Sequence, residues 1–451
     1  MPPAAPKAPP KTKTIKKTLT APNLALLGAE RLGELLVEVA GSDANWRRRL
    51  RLELAAEIGA AELALELDKR MDALAVGKGK VSWRKRPELI EDLEFHRRLI
   101  VERLSSLDAR LGLERMIAWF DLYPGLEIRV RDPKGELAER FLAAADDLAA
   151  LAAAAGPKVA APILSEALQT RLSDWAKWVG RAAPALPSDL AEALLSDLLT
   201  GRPAPTGRLA LVVRKLADRA ADAAAFADTF DPEHRTRPEV GAEIARRFVR
   251  AGQPAEARAA LEAARPRAPA PSRWNKLKAP PEPELSEPWQ AAEIAVLDAE
   301  GRADDAQAAR WAAFERSLDP EALRAFVSRL ADFDDVEALD RAFAHAAAWP
   351  DPMPGLDFLM TWPALPEAAR MITARADAIR GGSPHLELWA GRLARFPAAA
   401  LILLRARASA LARSGPGFKD EVTHLLAEAE ALGDQPGLPS HGEFVRNLKR
   451  Y

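Results

Sequence analysis

The stretch PEVGAEIARRFVRAGQPAEARAALEAARP, residues 238–266, decides the fold. It reads as two short helices joined at Gly252-Gln253-Pro254. Val240, Ile244 and Phe248 recur every four residues in the first helix, which places them on one stripe. In the second, Ala257, Leu261 and Ala264 follow the turn glycine at offsets of five, nine and twelve. Alanines there let two helices approach closely, and Pro266 cannot continue a helix. These are the features of a tetratricopeptide-type helical hairpin. Such a unit cannot bury its apolar face alone, so it predicts neighbours stacked on it.

The chain carries an echo of this hairpin. Gly301, Ala306 and Ala313 repeat the offsets of Gly252, Ala257 and Ala264, with Arg310 in the place of Leu261. Further pairs are predicted at 319–331 with 334–348, 366–380 with 384–396 and 398–413 with 417–432, closed by a short helix over 441–451. Leu and Ala dominate the composition, and aromatic residues make up 6% of it, a bias that favours helix over strand. The fold class expected is all-α: roughly twenty helices in an array of antiparallel pairs, with a tetratricopeptide-like α-solenoid in the C-terminal half. The expected domains are a disordered basic Pro/Lys tail at 1–21, a helical domain at 22–235 and a helical-repeat domain at 236–451. A Pro-rich loop at 266–288 interrupts the last.

Within 22–235 several elements can be placed. Leu24, Leu27, Leu32, Leu35, Leu36 and Val39 have helical spacing, and Ser42 or Asp43 caps a second helix. That helix carries Trp46, Leu50, Leu54 and Ile58 at i, i+4 intervals, the expected apolar stripe. Leu89, Leu93, His96, Ile100 and Leu104 form another stripe, where a lone histidine reads as a hydrogen-bonded core residue. Residues 126–130, Leu-Glu-Ile-Arg-Val, alternate like a short strand before the turn at 132–135. Helices follow at 136–155, 162–179, 188–199 and 207–230. Trp175 and Trp178, three apart, share one face and read as core.

Composition excludes several chemistries. The chain has 451 residues and no cysteine, so disulfides, thiol catalysis, iron–sulfur clusters and Cys-containing zinc sites are absent. Neither a signal peptide nor a membrane span is visible, and a cytoplasmic protein is expected. Residues 1–110 hold 21 Lys+Arg against 16 Asp+Glu, and the remainder 43 against 49, a milder asymmetry than a committed nucleic-acid binder shows. Gly77-Lys78-Gly79-Lys80 lacks the full phosphate-loop pattern and a preceding strand. There is no nucleophile elbow and no dinucleotide fingerprint. The six histidines do not pair at metal-ligand spacing, so no metal and no cofactor is assigned. Asp334-Asp335 reads as a helix start stabilised by capping and the helix dipole.

Two stretches remain as candidate binding surface. Trp83, Arg84, Lys85 and Arg86 place three cations beside an indole, a pattern able to grip a phosphate backbone while the ring stacks. The plainer reading is a helix start with a buried tryptophan and wet cations. Arg47, Arg48, Arg49 and Arg51 spread around their helix and read as solvated surface.

The second stretch rests on a resemblance. Leu24-x-x-Leu27-Gly28-Ala29-Glu30-Arg31-Leu32, Arg48-Arg49-Leu50-Arg51-Leu52-Glu53-Leu54 and Trp83-Arg84-Lys85-Arg86 carry it in the N-terminal half. Ala295-Val296-Leu297 with Gly301, the run from Arg329 to Asp335 and residues 358–363 carry it in the C-terminal half. In this order the segments resemble a bacterial family of uncharacterised helical-repeat proteins, catalogued as a domain of unknown function. They are also similar to sequence that follows the zinc-binding segment of some bacterial SWIM zinc-finger proteins. Phe418-Lys419 and His424-Leu425 resemble the family's Tyr-Lys and His-Leu positions, followed by His441, so Lys419, His424 and His441 join the candidate surface. Relatives look longer and more basic beyond Tyr451. The resemblance implies a fold and no activity. The function expected is a non-enzymatic scaffold for a protein or peptide partner. The alternatives are a nucleic-acid-associated protein using the basic N-terminal region, and an enzyme with an unrecognised site.

Overall fold

Gly252 sits at φ 72°, in the left-handed region that glycine enters without strain. The Gln253 amide donates to the Phe248 carbonyl and the Gly252 amide to Val249, the paired bonds that close a helix C-terminus. Helix Pro238–Arg250 therefore ends there, and Pro254 opens helix Pro254–Ala263. The turn recurs at Gly301, φ 73°, where Arg302 donates to Leu297 and Gly301 to Asp298 between helices Glu287–Ala299 and Ala303–Ser317. Leu261 is fully buried, among Ala242, Ala245, Ala257, Trp289, Ala292 and Val296. Arg310, its counterpart in the second hairpin, is also buried and pairs there with Asp298 and Gln307. Gly241 explains how the first hairpin closes: a Cβ on it would collide with the Cβ of Ala264.

This computed structural model describes residues 17–266, 285–331 and 333–448. Among them there are twenty-eight α-helices and no strand, so the chain is all-α, with many helices packed pairwise. Most of the tail expected at 1–21 and of the Pro-rich loop expected at 266–288 lies outside the described residues. The chain divides into two compact units, one ending at Asp231 and the other beginning at Pro232. No described helix is long and apolar enough to cross a membrane.

The N-terminal unit is centred on aromatic rings. Trp119, Phe120, Tyr123, Phe141, Trp175 and Trp178 are all buried and in mutual ring contact, with Trp119 stacked on Phe141 at 4.1 Å between centroids. Each buried indole of the central pair finds an acceptor: Trp119 Nε1 donates to the Leu93 carbonyl at 3.1 Å and Trp175 Nε1 to Asp121 at 2.9 Å. Trp175 and Trp178 are thus core, as their spacing predicts. The stripe from Leu89 to Leu104 is buried throughout, although residues Leu99–Leu104 wind as a π-helix rather than continuing the α-helix Arg86–Arg98.

Four expectations are corrected. The strand at 126–130 is the end of helix Tyr123–Arg129; Tyr123, Leu126 and Val130 are buried at helical spacing while Ile128 points out. Only Val130 enters a β-bridge, with Val81. The stripe at 46–58 is not the buried face of helix Ala44–Ile58. Leu54 is 67% and Ile58 76% exposed, and Leu52, Ala55 and Ala56 are buried instead. Small residues let the next helix, Ala60–Val76, approach on that side. Asp43 does cap the helix, accepting from Asn45 and Trp46, but Asp334 and Asp335 do not cap theirs. They lie in its first turn, where only the dipole acts, and Phe333 holds the cap position at φ 78°. The segments read as 136–155, 162–179 and 207–230 are each broken in two, at Ala144, Arg171 and 221–222. Helices Ala60–Val76, Ala109–Phe120 and Pro352–Thr361 were not read from the sequence at all.

His96 is 2% exposed, with Nδ1 2.6 Å from the Asp92 carbonyl of the preceding turn. Burial pushes its pKa below the ordinary 6.5, opposed by the Asp92 carboxylate, which Arg70 holds at 2.6 Å. Neutral His96 is therefore the native form. Stability is full above about pH 6.5 and falls as pH drops below it, because the unfolded chain takes up the proton first. His96→Gln should flatten the acid limb of a Tm-versus-pH profile; an unchanged profile would remove His96 as its cause. In the other unit, Leu261→Ala should destabilise by about 2–5 kcal/mol, whereas the exposed Leu54→Ala should stay within about 0.5 kcal/mol. Urea unfolding of the two variants checks the contrast.

Candidate anion-binding cleft

The C-terminal unit contains an open cleft of about 610 Å³, within the usual range for ligand sites. One wall is a face of helix Pro397–Ser414, where Ile402, Arg405, Ala406, Ser409, Ala410 and Arg413 recur at helical spacing. The second wall is the short segment Ala376–Gly382, which follows helix Leu365–Ala374. Gly381 sets their separation: a Cβ there would collide with the Ala406 carbonyl, so the segment lies directly on the helix backbone. The third wall is Leu438, Pro439 and Phe444, the last on helix His441–Leu448.

The cleft is basic. Among the described residues, Arg380, Arg405 and Arg413 line it against a single carboxylate, Asp377. Arg380 is an exposed cation 3.8 Å from Asp351, and Arg413 bonds back to the Ser409 carbonyl at 3.1 Å. Arg405 is different. It is 6% exposed and donates from Nη1 to the Pro439 carbonyl at 2.8 Å. The Phe444 ring lies 4.9 Å from its Cζ. Its Nε and Nη2 have no partner among the described residues. Burial pulls its pKa below the ordinary value, and the Asp434 carboxylate acts in the opposite direction without touching it. A buried guanidinium without a carboxylate partner is costly to a fold. Low-dielectric walls of one sign focus the field toward an anion in the cleft.

The residues singled out from the sequence fall in three places. Trp83 is 61% exposed, with the Arg84 guanidinium 5.3 Å from its ring, so the expected burial of that indole is corrected. Arg86 is not a wet cation. It pairs with Asp132 and Glu136 and donates to the Arg131 carbonyl, pinning the 82–86 segment to 131–136. Lys85 is exposed. Arg47, Arg48 and Arg49 are likewise engaged, with the carbonyls of Ala40 and Gly41, with Asn45, and with Glu91.

In the C-terminal unit, His441 opens the helix whose Phe444 lines the cleft, without lining it itself. Its amide donates to Asp434 at 2.9 Å and its Nδ1 is buried without a partner among the described residues. His424 lies elsewhere, on helix Lys419–Ala431, facing Glu428 and Glu387. Lys419 is exposed at the start of that helix. Sequence reasoning missed Arg405 and Gly381. An arginine among Leu401, Ile402, Leu403 and Leu404 on a largely buried helix was the available signal.

The chain matches the family of unknown function (DUF6880) over residues 14–206 and again over 165–450. No curated protein and no solved structure matches it.

The Gly381 contact generates a sharp pair of variants. Gly381→Ala should destabilise by about 1–3 kcal/mol, the usual range for overpacking. Gly382→Ala, where an added Cβ meets nothing within 4 Å, should be close to neutral. Unfolding midpoints distinguish them.

Proposed function

We propose that this chain, which belongs to the family of unknown function (DUF6880), is a non-enzymatic helical scaffold that holds an acidic protein or peptide partner in its C-terminal arginine cleft. Arg405 carries the reading. Among the described residues it is a buried cation with two buried donors unused and no carboxylate in contact, in a cleft where cations outnumber acids. A carboxylate-bearing segment in the cleft supplies the missing counter-charge, while Arg380 and Arg413 offer the exposed cations that it can touch. The twin turns at Gly252 and Gly301 support a tetratricopeptide-like repeat, an architecture that presents extended surfaces to partners. The absence of cysteine suits a reducing cytoplasm as the place of action.

The test uses a fluorescein-labelled octapeptide rich in Asp and Glu, and its Asn/Gln counterpart. Anisotropy should detect the acidic peptide alone, with affinity falling as salt rises. Arg405→Met should weaken it at least about tenfold while leaving the fold as stable or more so, since a hydrophobic isostere removes the uncompensated charge. Equal binding of both peptides would sink the reading. So would a large loss of stability in Arg405→Met, which would assign the guanidinium a structural role.

A nucleic-acid reading keeps one observation in its favour, the exposed Trp83 beside Arg84 and Lys85. Arg86 is already committed to Asp132 and Glu136. Binding to duplex DNA should therefore be sequence-independent and vanish near about 150 mM salt. Sub-micromolar binding at that salt, abolished by substituting Arg84, Lys85 and Arg86 with Ala, would reverse the order of the two readings.

A further inference from the structure

His424 and Glu428 stand one turn apart on helix Lys419–Ala431, and Glu387 lies in the first turn of helix His385–Arg392. His424 Nε2 is 3.4 Å from Glu428 Oε1 and 3.8 Å from Glu387 Oε1. One ligand atom from each of the three falls within 4.8 Å of the others. Donors bound tetrahedrally to zinc at about 2.0–2.2 Å stand about 3.3–3.6 Å from each other, so small rotations of these side chains complete the site. Both helices pack against Pro397–Ser414, which fixes the spacing of their backbones.

We propose that Glu387, His424 and Glu428 bind a zinc ion. One imidazole nitrogen and two carboxylates are ligand types that zinc accepts, and three of them leave a fourth tetrahedral position open to water or to a donor from a partner. The imidazole selects zinc over magnesium and calcium, which take oxygen ligands. The ion neutralises two carboxylates that otherwise face one imidazole. It also ties helix His385–Arg392 to helix Lys419–Ala431, and the exposure of His424, 61%, gives it free access. The site shares no residue with the arginine cleft, so neither proposal depends on the other.

The experiment is calorimetric titration of the tag-free, full-length chain with zinc chloride, alongside thermal unfolding with and without the metal. One zinc per chain and a higher Tm on addition are expected, with no competition from equimolar magnesium. His424→Ala and Glu387→Gln should each weaken zinc binding by at least about 100-fold, beyond the 10–100-fold typical of outer-shell losses. Circular dichroism checks that each variant is folded, and the His424 imidazole resonance in the unsubstituted chain should shift on metal addition. Absence of zinc binding, binding that survives His424→Ala, or an imidazole resonance that does not move would overturn the site. A simple ion pair among the three groups predicts no zinc binding there and an imidazole resonance that does not move.

Discussion

The close approach of helix backbones at small residues is the constraint on which the rest of this structure depends. Gly241 against Ala264, Gly355 against the Ala346 carbonyl and Gly381 against the Ala406 carbonyl leave no room for a side chain. Gly112 against Ser105 does the same in the N-terminal unit. Dispersion energy depends on atoms in contact, and a helix pair that meets backbone to backbone gains many such contacts without large side chains. An alanine-rich chain with few β-branched residues can build a dense interior in this way. The same constraint explains why Leu54 and Ile58 face solvent while Ala55 and Ala56 are buried.

The arginine cleft follows from one of those contacts. Because the segment ending at Gly382 rests on helix Pro397–Ser414, the residues one turn to either side of Ala406 border an open space instead of a packed helix. Arg405, buried, borders that space next to the apolar run Leu401 to Leu404, and Pro439 and Phe444 close over its far side. The geometry leaves a guanidinium partly satisfied, which is the chemical asymmetry the functional proposal uses. Arg310 makes the contrast plain: it is as deeply buried, yet Asp298 and Gln307 occupy its donors. Burial of an arginine is therefore not in itself a signal; the missing carboxylate is.

In the N-terminal unit the basic residues mostly serve the fold. Arg129 reaches the carbonyls of Gly77 and Leu74, and Arg86 joins Asp132 and Glu136, so the 77–86 loop is held to the end of helix Tyr123–Arg129. Arg70 and Arg48 surround Asp92 beneath His96. Charges used in this way cannot also neutralise phosphates. Trp83, Arg84 and Lys85 are left on the surface of that loop.

The amino-acid sequence by itself determined the all-α class, the hairpin turns at Gly252 and Gly301, a helix cap at Ser42 or Asp43 and the buried runs from Leu89 to Leu104 and at Trp175 and Trp178. Each is local: a glycine at positive φ, a side chain capping its own helix, or an apolar period of 3.6 residues is written within a dozen positions. Tertiary structure alone decided which face of helix Ala44–Ile58 is buried, because large apolar residues mark a stripe but small ones mark where a neighbour can approach. It also decided that 126–129 is helical, with Ile128 exposed and only Val130 extended. The unpaired state of Arg405 and the meeting of His424 with Glu387 depend on groups more than thirty positions away in the chain. No short window of sequence carries such a distance, so both candidate sites became legible only once the helices were packed.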